Sequence, residues 1–148
     1  FESVLRLGGE IGYIFGLGKD VRIDDRYFVG GDNFRGFANG GIGPRDSATG
    51  DALGGQQYAV GTAEIGFPIG NSTTFKPKVY VFTDVGTLID SGESGAGIQQ
   101  DDMLRVSSGI GIGMATPLGT IRINFATALR SASFDKTEVF SFKIGTGF

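Results

Sequence analysis

The chain has 148 residues, the size of one domain, and its 13 basic and 16 acidic residues give a formal net charge of −3. Because neither a positive net charge nor a basic stripe is present, the sequence argues against binding to nucleic acid. It contains no Cys and no His, so disulfides, thiolate chemistry, the commonest metal ligand and the commonest general base are missing. We therefore expect a protein without metal or cofactor that is not an enzyme.

Six segments of the sequence alternate apolar residues with small or polar ones, the period of two that indicates a β-strand. In chain order they are residues 1–16, 58–67, 79–90, 103–114, 121–130 and 138–148. Each segment has one largely apolar face and one face of glycines, polar residues and charges. The charged residues on the second face are Glu2, Arg6, Glu10, Glu64, Asp84, Arg105, Arg122, Arg130 and Lys143.

This pattern fits both a membrane-spanning β-barrel and the packed sheets of a soluble β-sandwich. Most segments are about ten residues long, enough for a tilted strand to cross a bilayer. Long and short connections also alternate, from residues 17–57 to the tight turn at 115–120, as they do in outer-membrane barrels. These features favour an all-β fold, an antiparallel transmembrane β-barrel that turns its apolar face to outer-membrane lipid.

Six strands are fewer than the roughly eight of the smallest single-chain outer-membrane barrels, because fewer strands leave open edges in lipid. The chain also begins at Phe1, without a Met or a signal peptide. We therefore expect residues 1–148 to be the C-terminal part of a larger outer-membrane β-barrel. A barrel assembled from several chains is less favoured, since the sequence has no internal repeat.

The segment DRYFVGGDNFRGFANGGIGPRD, residues 25–46, interrupts the alternation and lies in the longest connection. Its Arg35 cannot lose its charge and has five hydrogen-bond donors, so inside a barrel it needs carboxylate partners. The strand phase turns Glu64 and Asp84 inward on adjacent strands, which predicts them as those partners. The competing interpretation is a mobile external loop in which Arg35 has no role.

This segment resembles the loop signature of the BamA family, the outer-membrane protein assembly factor superfamily. The family pattern is an aromatic residue, a glycine pair, Arg-Gly-Phe or Arg-Gly-Tyr, and Ile-Gly-Pro. The matching residues are Phe28, Gly30, Gly31, Arg35, Gly36, Phe37, Ile42, Gly43 and Pro44. The resemblance continues in order through residues 50–55, 81–90, 117–126 and 135–148. At Phe34 the chain departs from the Val of many members.

The resemblance implies a sixteen-stranded barrel in the bacterial outer membrane that folds and inserts other β-barrel proteins. The chain would supply the last six strands and a lumen-inserted loop, residues 17–57, whose Arg35 contacts Glu64 and Asp84. The implied partners are unfolded outer-membrane β-barrel proteins, the N-terminal strands and POTRA domains of the parent chain, and accessory lipoproteins. A two-partner secretion-type translocation pore of the same superfamily is the alternative, followed by an outer-membrane hydrolase and a passive porin.

The C-terminal segment carries the expected seam, where the last strand of the barrel meets the first. Its outward positions resemble the terminal aromatic signal that assembly machines read on their substrates, and they include Phe140, Phe142, Ile144 and Phe148. The inward Gly145 has no side chain to pack, so pairing there is expected to be weak. We predict that residues 145–148 are the least regularly hydrogen-bonded part of the last strand.

Overall fold

The computed structural model describes residues 3–19, 21–31, 33–70, 75–89, 92, 97–101 and 103–145. Its strands are β1 (Val4–Tyr13), β2 (Arg45–Asp46), β3 (Gln57–Pro68), β4 (Lys78–Ile89), β5 (Ile98–Gln99), β6 (Arg105–Thr116), β7 (Gly119–Arg130) and β8 (Phe140–Gly145). A 3₁₀ turn spans Ile23–Asp25. Within the described part of the chain, no helix has the length and apolar character needed to cross a membrane.

The six long strands form one antiparallel sheet in the order β1-β3-β4-β6-β7-β8. Each long strand after β1 therefore pairs with the long strand that precedes it in the chain, and the predicted antiparallel arrangement is confirmed. The turn between β6 and β7 is tight, since Thr116 pairs directly with Gly119. Strand length also agrees with the prediction, because β3, β4, β6 and β7 each have 12 residues.

The predicted ranges of the first and last strands are wrong at their ends. β1 ends at Tyr13, not at residue 16, because the chain leaves its partner β3 there and enters the long connection. β8 begins later than residue 138 because the Glu138 N–H donates to the carbonyl of Gly36 in the long connection, at 3.0 Å, and not to β7. Residues 146–148, which the prediction assigned to the last strand, lie outside the described residues.

A second, two-stranded sheet joins β2 to β5 and was not predicted. Arg45 pairs with Gln99 and Asp46 with Ile98, so the long connection contacts the connection between β4 and β6. The Ser47 N–H extends this pairing by donating to the carbonyl of Gly97 at 2.8 Å. A strand of two residues is too short to show a period of two, so the alternation of the sequence cannot predict it.

The two faces of the large sheet differ as the alternation predicts. One face, here the outer face, exposes large apolar side chains on every strand, among them Leu7, Ile11, Ile65, Val81, Ile110, Phe125, Leu129, Phe140 and Phe142. The opposite, inner face buries Glu64, Asp84, Arg105 and Arg122. The described residues place no second layer over the outer face, so the soluble β-sandwich is not formed.

The long connection between β1 and β3 folds over the inner face and supplies most of the hydrophobic core there. Its residues Val29, Phe34, Phe37 and Ile42 are buried in one cluster with Leu88 of β4. The rings of Phe34 and Phe37 meet edge to face, with 4.9 Å between their centroids. The loop is thus ordered by its own apolar residues, which contact one another and the sheet.

Candidate functional site

The backbone of the loop places Arg35 directly against the inner face. Gly31 donates its N–H to the carbonyl of Phe37 at 2.8 Å, which closes a short turn around Arg35. Gly36 has φ +92°, and a Cβ at this position would lie 3.0 Å from Cβ of Ser107 on β6. Glycine tolerates both a left-handed backbone and so close an approach to a strand. Gly36 therefore lets the Arg-Gly-Phe segment lie directly against β6.

The side chain of Arg35 joins both predicted carboxylates. Its Nε and Nη2 donate to Oδ2 and Oδ1 of Asp84, each at 2.8 Å, and Nη1 donates to Oε1 of Glu64 at 2.7 Å. Nη2 also donates to Thr62 Oγ1 at 2.8 Å, and the guanidinium carbon lies 3.7 Å from the ring centroid of Phe82. Arg35 thus makes a bidentate contact with Asp84, which the single ammonium group of a lysine cannot reproduce.

The charges of this cluster are removed from water. The side chains of Arg35, Glu64 and Asp84 are 14%, 6% and 3% exposed. Burial lowers the pKa of Arg35, but the hydrogen bonds and negative charges of Asp84 and Glu64 outweigh it and raise that pKa above its ordinary value. Arg35 therefore stays charged at any physiological pH.

Arg122 of β7 belongs to the same cluster, although the sequence did not predict it there. Its Nη1 donates to Glu64 Oε2 at 3.3 Å, its Nη2 donates to Oε1, and its Nε donates to Asn124 Oδ1 at 2.9 Å. The guanidinium also lies over the ring of Tyr80, 4.1 Å from its centroid. We call Arg35, Glu64, Asp84 and Arg122 the arginine clamp, in which two cations balance two anions.

The alternation of the sequence predicts that Arg122 points inward. It does not predict that Arg122 reaches Glu64, because β4 and β6 lie between β3, which carries Glu64, and β7, which carries Arg122. The inward glycines of β6, at 109, 111 and 113, explain the contact. A Cβ at Gly111 would lie within 3.0 Å of the side chain of Asn124, which orients Arg122. The glycines thus leave the space that long side chains use to cross the inner face.

The Ile-Gly-Pro part of the predicted motif packs at the end of β4. Ile42, Gly43 and Pro44 are buried, and a Cβ at Gly43 would lie 3.0 Å or less from the side chain of Leu88. Beyond them, Arg45 Nη2 donates to the carbonyl of Gly40 at 2.6 Å and holds the loop in a closed turn. The motif residues therefore fix the loop on the sheet at two places, through the clamp and through this contact.

The predicted C-terminal residues lie on the outer face and at the free edge of the sheet. Phe140, Phe142 and Ile144 are exposed there, and Phe148 lies outside the described residues. Gly145 pairs with Thr120 of β7, and residues 146–148 lie outside the described residues, so the looser pairing expected for residues 145–148 stays a prediction.

We predict that Gly36→Ala destabilises the loop more than Gly18→Ala does. Both glycines have a positive φ, +92° and +82°, so the backbone strain of the two changes is similar, at about 1–2 kcal/mol. A Cβ at Gly18 has nothing within 4 Å, whereas one at Gly36 presses on Ser107. Unfolding midpoints of the two variants in the full-length protein measure the difference. Equal midpoints would show that Gly36 does not rest on the sheet.

Comparison with known proteins supports a family assignment. A sequence model of the Omp85 superfamily domain matches residues 2–148. The chain is 37% identical, over 99% of its length, to the outer membrane protein assembly factor BamA of Neorickettsia risticii, and it covers 20% of that protein. It is 27% identical, over 97% of its length, to BamA of Neisseria meningitidis serogroup B and covers 22% of it. The chain thus spans about a fifth of the length of these relatives.

The fold also matches a solved structure. The crystal structure of BamA from Haemophilus ducreyi lacking POTRA domains 1–3 superposes with a TM-score of 0.81, over 95% of this chain and 30% of that one, at 24% identity. The antiparallel sheet described above therefore has the fold of a transmembrane β-barrel. That the loop of residues 17–57 lies in the lumen of a closed barrel, and that the clamp residues have a functional role, stay predictions.

Proposed function

Because this chain belongs to the Omp85 superfamily, we propose that it is part of the machinery that folds and inserts β-barrel proteins into the outer membrane. The chain is located in the bacterial outer membrane, where the apolar outer face of its sheet contacts lipid. The observation that carries the proposal is the likeness of nearly the whole chain to proteins named outer membrane protein assembly factor. Its action is noncovalent, and the folding of the substrate supplies the free energy.

The finer proposal is that substrates enter through a seam at β8. β8 pairs with β7 along one edge, and its second edge has no strand partner among the described residues. In the parent barrel this second edge would meet the first strand. Once that contact opens, the edge would offer N–H and C=O groups to which an incoming strand can add by main-chain hydrogen bonds.

The arginine clamp supports this proposal because it holds the loop at one position on the inner face of the sheet. Arg35 and the cluster around Phe37 hold residues 17–57 against the inner face, where the loop would fill part of the lumen. A filled lumen would keep ions from leaking through while the seam opens toward lipid. The clamp is thus proposed to be a structural requirement of assembly.

The proposed partners follow from the same activity. They are unfolded outer-membrane β-barrel proteins, outer-membrane lipid, the N-terminal barrel strands and POTRA domains of the parent chain, and accessory lipoproteins. We propose no enzymatic activity and no cofactor. Within the described ranges, no group of three or more His, Cys, Asp or Glu is arranged to hold a metal ion.

Reconstitution of the full-length protein into liposomes tests the proposed function. An unfolded outer-membrane β-barrel protein added from outside should become protease-protected and heat-modifiable faster than in protein-free liposomes. An unchanged rate would contradict an assembly function. Transport of a soluble polypeptide into the vesicles, without insertion of β-barrels, would instead support the translocation-pore alternative.

A further inference from the structure

Residues 131–139, which connect β7 to β8, form a segment that we call the strap. The strap binds the long loop immediately after Arg35 by main-chain hydrogen bonds. These bonds are Ala38 N to Lys136 O at 3.0 Å, Lys136 N to Gly41 O at 2.9 Å and Glu138 N to Gly36 O at 3.0 Å. Phe37 of the motif also pairs with Thr137 in an antiparallel bridge. The strap therefore holds the Arg-Gly-Phe segment by main-chain contacts that are separate from those of Arg35 with the sheet.

The strap is itself fixed by a second buried ion pair, which is separate from the clamp. Arg105, the first residue of β6, donates from Nε and Nη2 to the two carboxylate oxygens of Asp135 in the strap, at 2.9 and 3.2 Å. Both side chains are 0% exposed. Arg105 Nη1 also donates to the carbonyls of Asp101 and Met103, and Asp135 Oδ2 accepts from the N–H of Ala132 at 2.8 Å.

Among the described residues, the hydrogen bonds and the ion pair of Arg105 and Asp135 do not reach the loop of residues 17–57, and the strap links this pair to the loop by main-chain hydrogen bonds. We propose that Arg105 and Asp135 are positioning residues that hold Arg35 in the clamp by fixing the strap. The strap continues directly into β8 at Phe140. A displacement of the start of β8 therefore pulls on the backbone next to Arg35, and the clamp and the last strand move together.

The positioning role goes beyond the proposed assembly function and does not depend on it. The consequence for β8 does rest on the proposed seam. A seam that opens at β8 must either break the strap's hydrogen bonds or carry the loop with it. Movement of the strap away from β6 would separate the buried pair and leave two desolvated charges without partners, so the pair opposes displacement of the strap.

A disulfide between the strap and the loop reports whether the strap is in place. The chain has no Cys, so Ala38→Cys with Lys136→Cys introduces the one possible disulfide within it. Their main-chain hydrogen bond puts the two residues at neighbouring positions, as a disulfide requires. We expect rapid oxidation in the full-length protein in membranes.

Adding Arg105→Met together with Asp135→Asn should abolish most of this cross-link. The double change removes both charges, so no lone buried ion remains, and the new amide oxygen still accepts from the Ala132 N–H. The matched control is Asp24→Asn, an exposed loop carboxylate that should leave oxidation unchanged. Unchanged oxidation in the Arg105→Met, Asp135→Asn protein would overturn the proposal. If that variant does not fold, Arg105→Lys, which keeps the charge but loses the bidentate contact with Asp135, takes its place, and it should also reduce the cross-link.

The second readout is the coupling of the pair to Arg35, measured without any assembly assay. The temperature midpoint of heat-modifiable migration is recorded for Arg35→Ala, for the double change at the pair, and for all three together. Residues that share no partner normally give additive shifts. We expect a combined shift clearly smaller than the sum, because loss of the strap already loosens the clamp. Additive shifts would show that the pair only stabilises its own region, whether or not the protein assembles β-barrels.

Discussion

Replacing Arg35 with Ala is expected to lower the free energy of unfolding of the full-length protein by about 3–5 kcal/mol, the cost of breaking a buried ion pair. Without the Arg35 side chain, Asp84 keeps the hydrogen bonds from Thr62 and from the main-chain N–H of residue 35 but has no cation in contact, and it is 3% exposed. Glu64 loses less electrostatic stabilisation than Asp84 does, because Arg122 still binds it. Denaturant unfolding in detergent or lipid measures the change.

Two further variants make this prediction specific. Arg35→Lys should recover little of the lost stability, since an ammonium group cannot grip Asp84 with two donors while reaching Glu64. Arg22→Ala removes an exposed arginine of the same loop, whose side chain is 77% exposed, and should change the stability by no more than about 0.5 kcal/mol. If Arg35→Ala and Arg22→Ala are equally stable, the clamp does not hold the loop.

Replacing Phe37 with Ala is expected to cost about 3–5 kcal/mol, the range for removing a large buried aromatic side chain. Phe37 is 2% exposed and packs edge to face on Phe34. Its loss opens a cavity between the loop and the inner face, and Phe34 loses its aromatic partner. The change should also weaken the bridge to Thr137 in the strap.

The control for Phe37 is Phe28→Ala, a change of the same size in the same loop. Phe28 is 41% exposed, so less apolar surface returns to water and a smaller cavity forms. We expect a loss clearly below that of Phe37→Ala, measured by the same unfolding experiment. If Phe28→Ala and Phe37→Ala lower the free energy of unfolding equally, the packing of Phe37 in its cluster adds no stability beyond that of the half-exposed Phe28.

The parts of this structure that follow from local pattern could be predicted from the sequence. The alternation predicted all six long strands and their order, and the same alternation turned Glu64 and Asp84 to the face where Arg35 meets them. These predictions succeed because side-chain direction in a strand depends only on the parity of the residue number. The tight turn at 115–120 was predictable for a similar reason, since Pro117 and Gly119 mark it locally.

The parts that depend on contacts between distant segments could not be predicted. Arg122 reaches Glu64 across two intervening strands, which depends on the curvature of the sheet and on space left by glycines. Asp135 finds Arg105 only after the strap folds against β6, and a single Asp in a connection carries no pattern. The sequence did not predict the buried cluster of the loop, because the glycines between its apolar residues are spaced as they are in a solvated loop.

The most direct test of the proposed mechanism is a reversible cross-link across the seam. Phe142→Cys is combined with a Cys at the facing position of the first barrel strand in the full-length protein, and insertion of a newly made outer-membrane β-barrel protein is timed before and after reduction. The control pairs the same Phe142→Cys with Ile123→Cys, its partner in β7, where a disulfide joins strands that stay together. We expect that the seam cross-link stops insertion, that reduction restores it, and that the control inserts at the normal rate throughout. Full-rate insertion with the seam cross-linked would contradict assembly through the last strand.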